Sequence, residues 1–202
     1  MKLKVWDNLK LNEIRKDAKE SLKYKNLNAN TKTKTYLFYL YFLPIFFAIS
    51  LLSLNIFIEK EIASYLITSI SIFAGLFFSL LFIVTDKYNQ KKEYLKDLIK
   101  DGDNEIYSYL QRYKNFSTFL VRQISFTIIL AVVLIVSMSI IYFSPQIPNL
   151  DYCWNHHLRL GLKYILNGVI YYWSGQFLIF LVVILSNMYV MLLDDINFEK
   201  EE

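Results

Sequence analysis

Cys153, His156 and His157, with Asp151 just before them, gather the chain's single cysteine and both of its histidines into one short stretch. These are the residue types that ligate zinc or activate a nucleophile. In a helical register Cys153 and His157 stand one turn apart and suit one ion, whereas the adjacent His156 and His157 point about 100° apart. A structural zinc site takes four ligands and a catalytic one takes three protein ligands. One chain therefore offers two good ligands here, and only a symmetric oligomer would complete the set. Tyr152 and Trp154 favour the plainer reading, a loop anchored at a membrane–water interface. No metal or cofactor is assigned, and no catalytic residue.

Nothing else in the chain supplies enzyme chemistry. It contains no phosphate-cradling glycine loop, no paired histidines of a metalloprotease helix, no Gly-x-Ser-x-Gly elbow and no Cys-x-x-Cys. The apolar blocks hold no carboxylate, lysine or histidine of the kind that relays protons in pumps. The expectation is a protein that is not an enzyme.

The elements that would position these residues are long apolar blocks. Hydrophobic residues make up 55% of the 202, with 16 Phe and 16 Tyr against 5 Gly and 3 Pro, a balance unlike that of an ordinary soluble domain. Four blocks reach the roughly 20 residues that cross a hydrocarbon core as a helix: Tyr36 to Ile58, Ile62 to Thr85, Gln123 to Ser144 and Tyr164 to Leu193. None carries a charged residue in its interior, where each would cost about 2.5–3.5 kcal/mol. The expected fold is all-α, an integral membrane protein with four transmembrane helices. The first 35 residues are too long and too basic for a secretory signal, so none is expected.

Charge sets the orientation. Residues 1–35 hold ten Lys or Arg and residues 86–122 hold eight, against one in the Glu59-Lys60-Glu61 connection and two in residues 145–163. The positive-inside rule then places both ends of the chain and the middle loop in the cytoplasm of an inner membrane. Acidic residues interleave the lysines, so no direct nucleic-acid binding is expected. The chain divides into a basic amphipathic helix and linker (1–35), a first transmembrane hairpin (36–85), a cytoplasmic helical hairpin (86–118), a second transmembrane hairpin (119–193) with an outer loop (145–163), and an acidic tail (194–202) that complements the N-terminal lysines or stays solvated.

Within this frame, Leu11, Ile14, Ala18 and Leu22 recur at helical spacing among basic residues, which predicts an amphipathic helix. Pro44 predicts a kink near Leu40 in the first span, and Glu59-Lys60-Glu61 predicts a tight link to the second. Ser71, Gly75 and Ser79, four apart, predict a close helix-packing seam. No Gly or Pro lies between Gly75 and Gly102, so the second helix is expected to continue past the membrane to the Asp101-Gly102-Asp103-Asn104 cluster. That cluster lacks the ligand spacing of a calcium loop and reads as a helix end followed by a helix start. In the fourth block, Asn167, Ser174, Gln176 and Asn187 are candidates for interhelical hydrogen bonds or a pore lining. Lys91, Lys92, Lys96, Lys100, Arg112 and Lys114 are candidates for docking a soluble partner.

The basic helix Leu11 to Lys25, the hairpin Lys87 to Lys114 and the four spans together resemble, as an architecture, the small four-pass membrane components of bacterial antiphage systems. The Kiwa membrane subunit and the membrane accessory proteins of some RNA-targeting CRISPR systems are examples. The resemblance covers most of the chain, and no functional residue is transferred by it. It implies a homo-oligomeric membrane sensor or scaffold that works with a soluble cytoplasmic protein. A pore-forming or depolarising effector is the alternative. A small-molecule or ion transporter comes third, because no inverted repeat or pair of broken helices stands out.

Overall fold

A computed structural model of the chain describes residue 16 and residues 38–99, 104–143 and 156–198. Every regular element among the described residues is a helix. A π-helical turn, Phe38–Phe42, leads into helix α1 (Leu43–Ser53). Three long helices follow: α2 (Lys60–Ile99), α3 (Asn104–Phe143) and α4 (His156–Phe198). Stretches within α2, α3 and α4 are each long and apolar enough to cross a membrane, and α1 belongs to a shorter apolar helix, Leu40–Ser53. The chain thus has the helices of a membrane protein. Large apolar side chains such as Phe82 and Ile72 stand 69% and 61% exposed, an arrangement that hydrocarbon, not water, makes favourable.

Several expectations fall outside the described residues. The N-terminal amphipathic helix does so apart from Lys16, which is helical and exposed. So do Lys100, the Asp101 to Asp103 stretch, Cys153 with the neighbouring part of the outer loop, and the last residues of the acidic tail. His156 and His157 open α4, so this helix begins inside the stretch read as an outer loop.

Two boundaries differ from the sequence reading, for a physical reason in each case. The first helix stops at Ser53, before Ile58, and α2 already includes Lys60 and Glu61. Hydropathy cannot see this stop, because the chain stays apolar through it. Where Pro44 predicted a kink, the residues before it form the π-helical turn, whose looser hydrogen-bond register accommodates the missing amide and the ring one turn back.

Residue contacts divide the helices into two units. One comprises Leu37–Leu76 with Thr127–Leu181. Its core is built from Ala48, Ala63 and Ile70 with Leu134, Met138 and Ile170, all buried. α1 lies close against α4 in this unit. A Cβ on Gly175 would come within 3.1 Å of the Cα and Cβ of Pro44, and one on Gly168 within 3.2 Å of Leu52 Cδ1. Seven residues, about two turns, separate the two glycines, so both face the same neighbour. The other unit comprises Phe77–Phe126 with the chain from Val182 onward. Its core includes Val84, Leu95, Tyr113, Leu120 and Ile184.

Candidate functional site

In the first unit the polar chemistry collects where α1 ends. Asn55 adopts φ 54°, the left-handed conformation that Asn tolerates better than other non-glycine residues. The Ile56 amide donates to the Leu51 carbonyl at 3.1 Å and the Asn55 amide to Leu52 at 3.0 Å. This pair of bonds is a Schellman C-cap. The chain then runs non-helical through Ile56, Phe57, Ile58 and Glu59, and the Ala63 amide picks up the Glu59 carbonyl at 2.8 Å to start α2.

One face of α4 satisfies this connector. The Ile58 amide donates to Asn167 Oδ1 at 2.9 Å, and Asn167 Nδ2 donates to the Lys163 carbonyl at 2.9 Å. Tyr171 donates its hydroxyl to the Ile56 carbonyl at 2.8 Å, and Tyr164 donates to Asn55 Oδ1 at 2.8 Å. Positions 164, 167 and 171 fall on one helical stripe. The Phe57 ring meets the Tyr164 ring edge-on, with centroids 4.9 Å apart, and the Lys163 ammonium sits 4.3 Å from the Phe57 centroid. Lys60 lies 4.9 Å from the centroid of Tyr142 on α3. Below the connector, α1 and α4 leave an apolar side groove of about 520 Å³, open on one side.

The amide candidates of the fourth block therefore have separate duties. Asn167 is buried and caps the connector. Gln176, also buried, donates to the Tyr172 hydroxyl on its own helix at 2.8 Å. Ser174 is half-buried. In the second unit, Asn187 donates through Nδ2 to Gln123 Oε1 on α3 at 2.9 Å. Sequence reasoning passed over Gln123, Asn55, Tyr164 and Tyr171. The first two were visible as lone amides in or beside apolar blocks. The tyrosines looked like any others in a chain rich in them.

The small-residue seam is open. Ser71, Gly75 and Ser79 are exposed, and a Cβ on Gly75 would meet nothing within 4 Å. The Ser71 hydroxyl donates to the Ile67 carbonyl of its own helix at 2.7 Å.

The basic candidates separate as well. Lys92, Lys96, Arg112 and Lys114 are exposed on α2 and α3. Lys91 departs from this set, being only 8% exposed. Its ammonium stands 4.6 Å from the Tyr113 ring centroid and 5.1 Å from that of Tyr109. The aromatic faces of α3 attract the cation while its stem packs, so this lysine joins α2 to α3 and is withdrawn from any docking surface. Among the described residues no group of three or more His, Cys, Asp or Glu is placed to hold a metal ion.

No protein-family model matches the chain, and no curated protein or solved structure matches it.

Proposed function

We propose that the chain is a four-pass, homo-oligomeric inner-membrane sensor or scaffold that docks a soluble cytoplasmic protein on the basic faces of α2 and α3. The observation that carries this reading is the set Lys92, Lys96, Arg112 and Lys114, all exposed on helix that outruns the apolar blocks. α2 continues from Thr85 to Ile99, a further 20 Å or so at about 1.5 Å per residue. α3 begins at Asn104 and reaches the third apolar block at Gln123.

The first crossing is the short one. Phe38 to Ser53 spans about 24 Å as helix, and the apolar connector makes up the remainder. Non-helical backbone at membrane depth requires internal hydrogen-bond partners, and Asn167 and Tyr171 provide them. Four crossings bring both ends of the chain to the cytoplasmic side with the basic segments. A role in antiphage defence follows from the architectural resemblance alone. A pore lined by the fourth-helix amides has less support, since Asn167, Gln176 and Asn187 each bond within the chain.

The test is cross-linked affinity capture from membranes carrying the wild-type chain or a Lys92→Glu, Lys96→Glu, Arg112→Glu, Lys114→Glu variant. The variant should stay in the membrane fraction and lose soluble proteins that the wild type retains. Recovery of the same soluble proteins by both chains defeats the docking surface.

A further inference from the structure

We propose that the groove between α1 and α4 is a binding site for one bilayer glycerophospholipid, with an acyl chain along the groove and its phosphate at Lys163. This rests on the reading of the chain as membrane-spanning and goes beyond it by naming a ligand and a site.

The groove walls are Ile45, Ile49 and Leu52 from α1, and Ile165, Gly168 and Val169 from α4. Almost no polar atom lines it, so it offers nothing to a hydrophilic ligand. Its volume is about 520 Å³ and it is shallow, open along most of its length, so it suits an acyl chain lying against the helices and not an enclosed molecule. Gly168 shapes the floor, where the missing side chain lets Leu52 approach α4. The groove opens sideways, and α4 is among the helices able to cross a membrane. What reaches it from that side is lipid.

Polar groups close one end, and this separates a site from a bare apolar face. Tyr164 lines the groove and also bonds to Asn55. From Tyr164 the contacts run to the Phe57 ring and from there to the Lys163 ammonium. The end where α1 stops thus carries a cation on an exposed side chain, held over an aromatic face within about two ring contacts of the groove. An ammonium there takes a phosphate as a point charge. Glu59 ends the connector and Lys60 and Glu61 open α2, so the charge of this segment is mixed. A zwitterionic headgroup, with its own ammonium toward the glutamates, fits this balance better than a strongly anionic one. Dioleoyl-phosphatidylethanolamine is therefore the probe, with dioleoylglycerol, which has the same chains and no phosphate, as its comparison.

The experiment is native mass spectrometry of the full chain purified in detergent, delipidated and offered each probe. The wild type should retain one phosphatidylethanolamine per chain and at least fivefold less dioleoylglycerol. Val169→Trp and, from the opposite wall, Ile49→Trp fill the groove from exposed positions and should each lower retention at least fivefold at unchanged helicity by circular dichroism. Lys163→Gln should keep the acyl contact and lose the preference for the phospholipid. Equal retention of both probes by the wild type overturns the headgroup assignment. Wild-type retention in both folded tryptophan variants overturns the groove. Fractionation distinguishes the two readings: a chain that does not sediment with membranes defeats the membrane reading, whereas a membrane-embedded chain that holds no lipid defeats only this proposal.

Discussion

The side chain of Asn167 on α4 accepts the backbone amide of Ile58, 109 positions earlier, at 2.9 Å. A buried backbone donor without a partner costs about 1–3 kcal/mol, so this one bond makes a non-helical connector tolerable between two apolar helices. Asn167→Ala should lower the thermal midpoint of the purified chain in detergent, by about 2–4 °C for each kcal/mol in a chain of this size. Thr68→Ala is the control. Its hydroxyl is exposed and bonds the Ser64 carbonyl of its own helix, so a shift within about 0.5 kcal/mol is expected. Equal midpoints for the two variants would mean that the Ile58 amide finds another partner.

The two glycines of α4 should respond differently to a methyl group. Gly175→Ala brings its Cβ against the backbone and ring of Pro44, which cannot rotate away. A loss of about 1–3 kcal/mol is expected, as for other overpacked interiors. Gly168→Ala meets only the end of the Leu52 side chain. That contact relaxes by a rotamer change, and alanine returns up to about 1 kcal/mol of helix propensity. Thermal midpoints should therefore rank wild type and Gly168→Ala together, above Gly175→Ala. The reverse ranking would place the α1–α4 contact elsewhere.

Asn187 and Gln123 form an interhelical amide bond whose strength a double-mutant cycle measures. Leucine at each position and at both, followed by unfolding in mixed micelles, should return a coupling of about 0.6 kcal/mol, with about 1.7 as an upper bound from other membrane proteins. A coupling of zero would show that each amide is equally well satisfied without the other.

Topology separates four crossings from three. On the proposed topology, fluorescent-protein fusions at either end of the chain should both be bright and alkaline-phosphatase fusions at both inactive, because an even number of crossings returns the chain to the side it started from. A membrane-impermeant thiol reagent should label Cys153 in intact cells. An active phosphatase at the C-terminal end would leave α1 on the membrane surface and reduce the count to three.

Gly75 tests self-association. Its open surroundings make Gly75→Leu harmless to the single chain, with a stability within about 1 kcal/mol of wild type. If Ser71, Gly75 and Ser79 form the seam between copies, the same substitution lowers the oligomer fraction in cross-linking and light scattering. An unchanged oligomer places the seam on another face.

The amino-acid sequence by itself determined the broad architecture, because uncharged apolar runs have one low-cost conformation when backbone groups must be satisfied internally. Three long apolar helices and the continuation of α2 past Thr85 were legible from that rule and from the lack of glycine and proline. That a helix is under way from Asn104 was legible from capping chemistry. Only the tertiary structure decided where the first helix stops, since Leu54 to Ile58 is as apolar as the helix before it. The stop depends on Asn55 entering a left-handed turn and on Asn167 and Tyr171 arriving from a distant helix. It also decided which polar residues act together. Periodicity assigns faces to single helices, but it cannot say that Asn187 meets Gln123, that Lys91 is buried on two tyrosines, or that the face around Gly75 is left open. Those outcomes follow from which helices pack in three dimensions, and no local pattern along the chain encodes that.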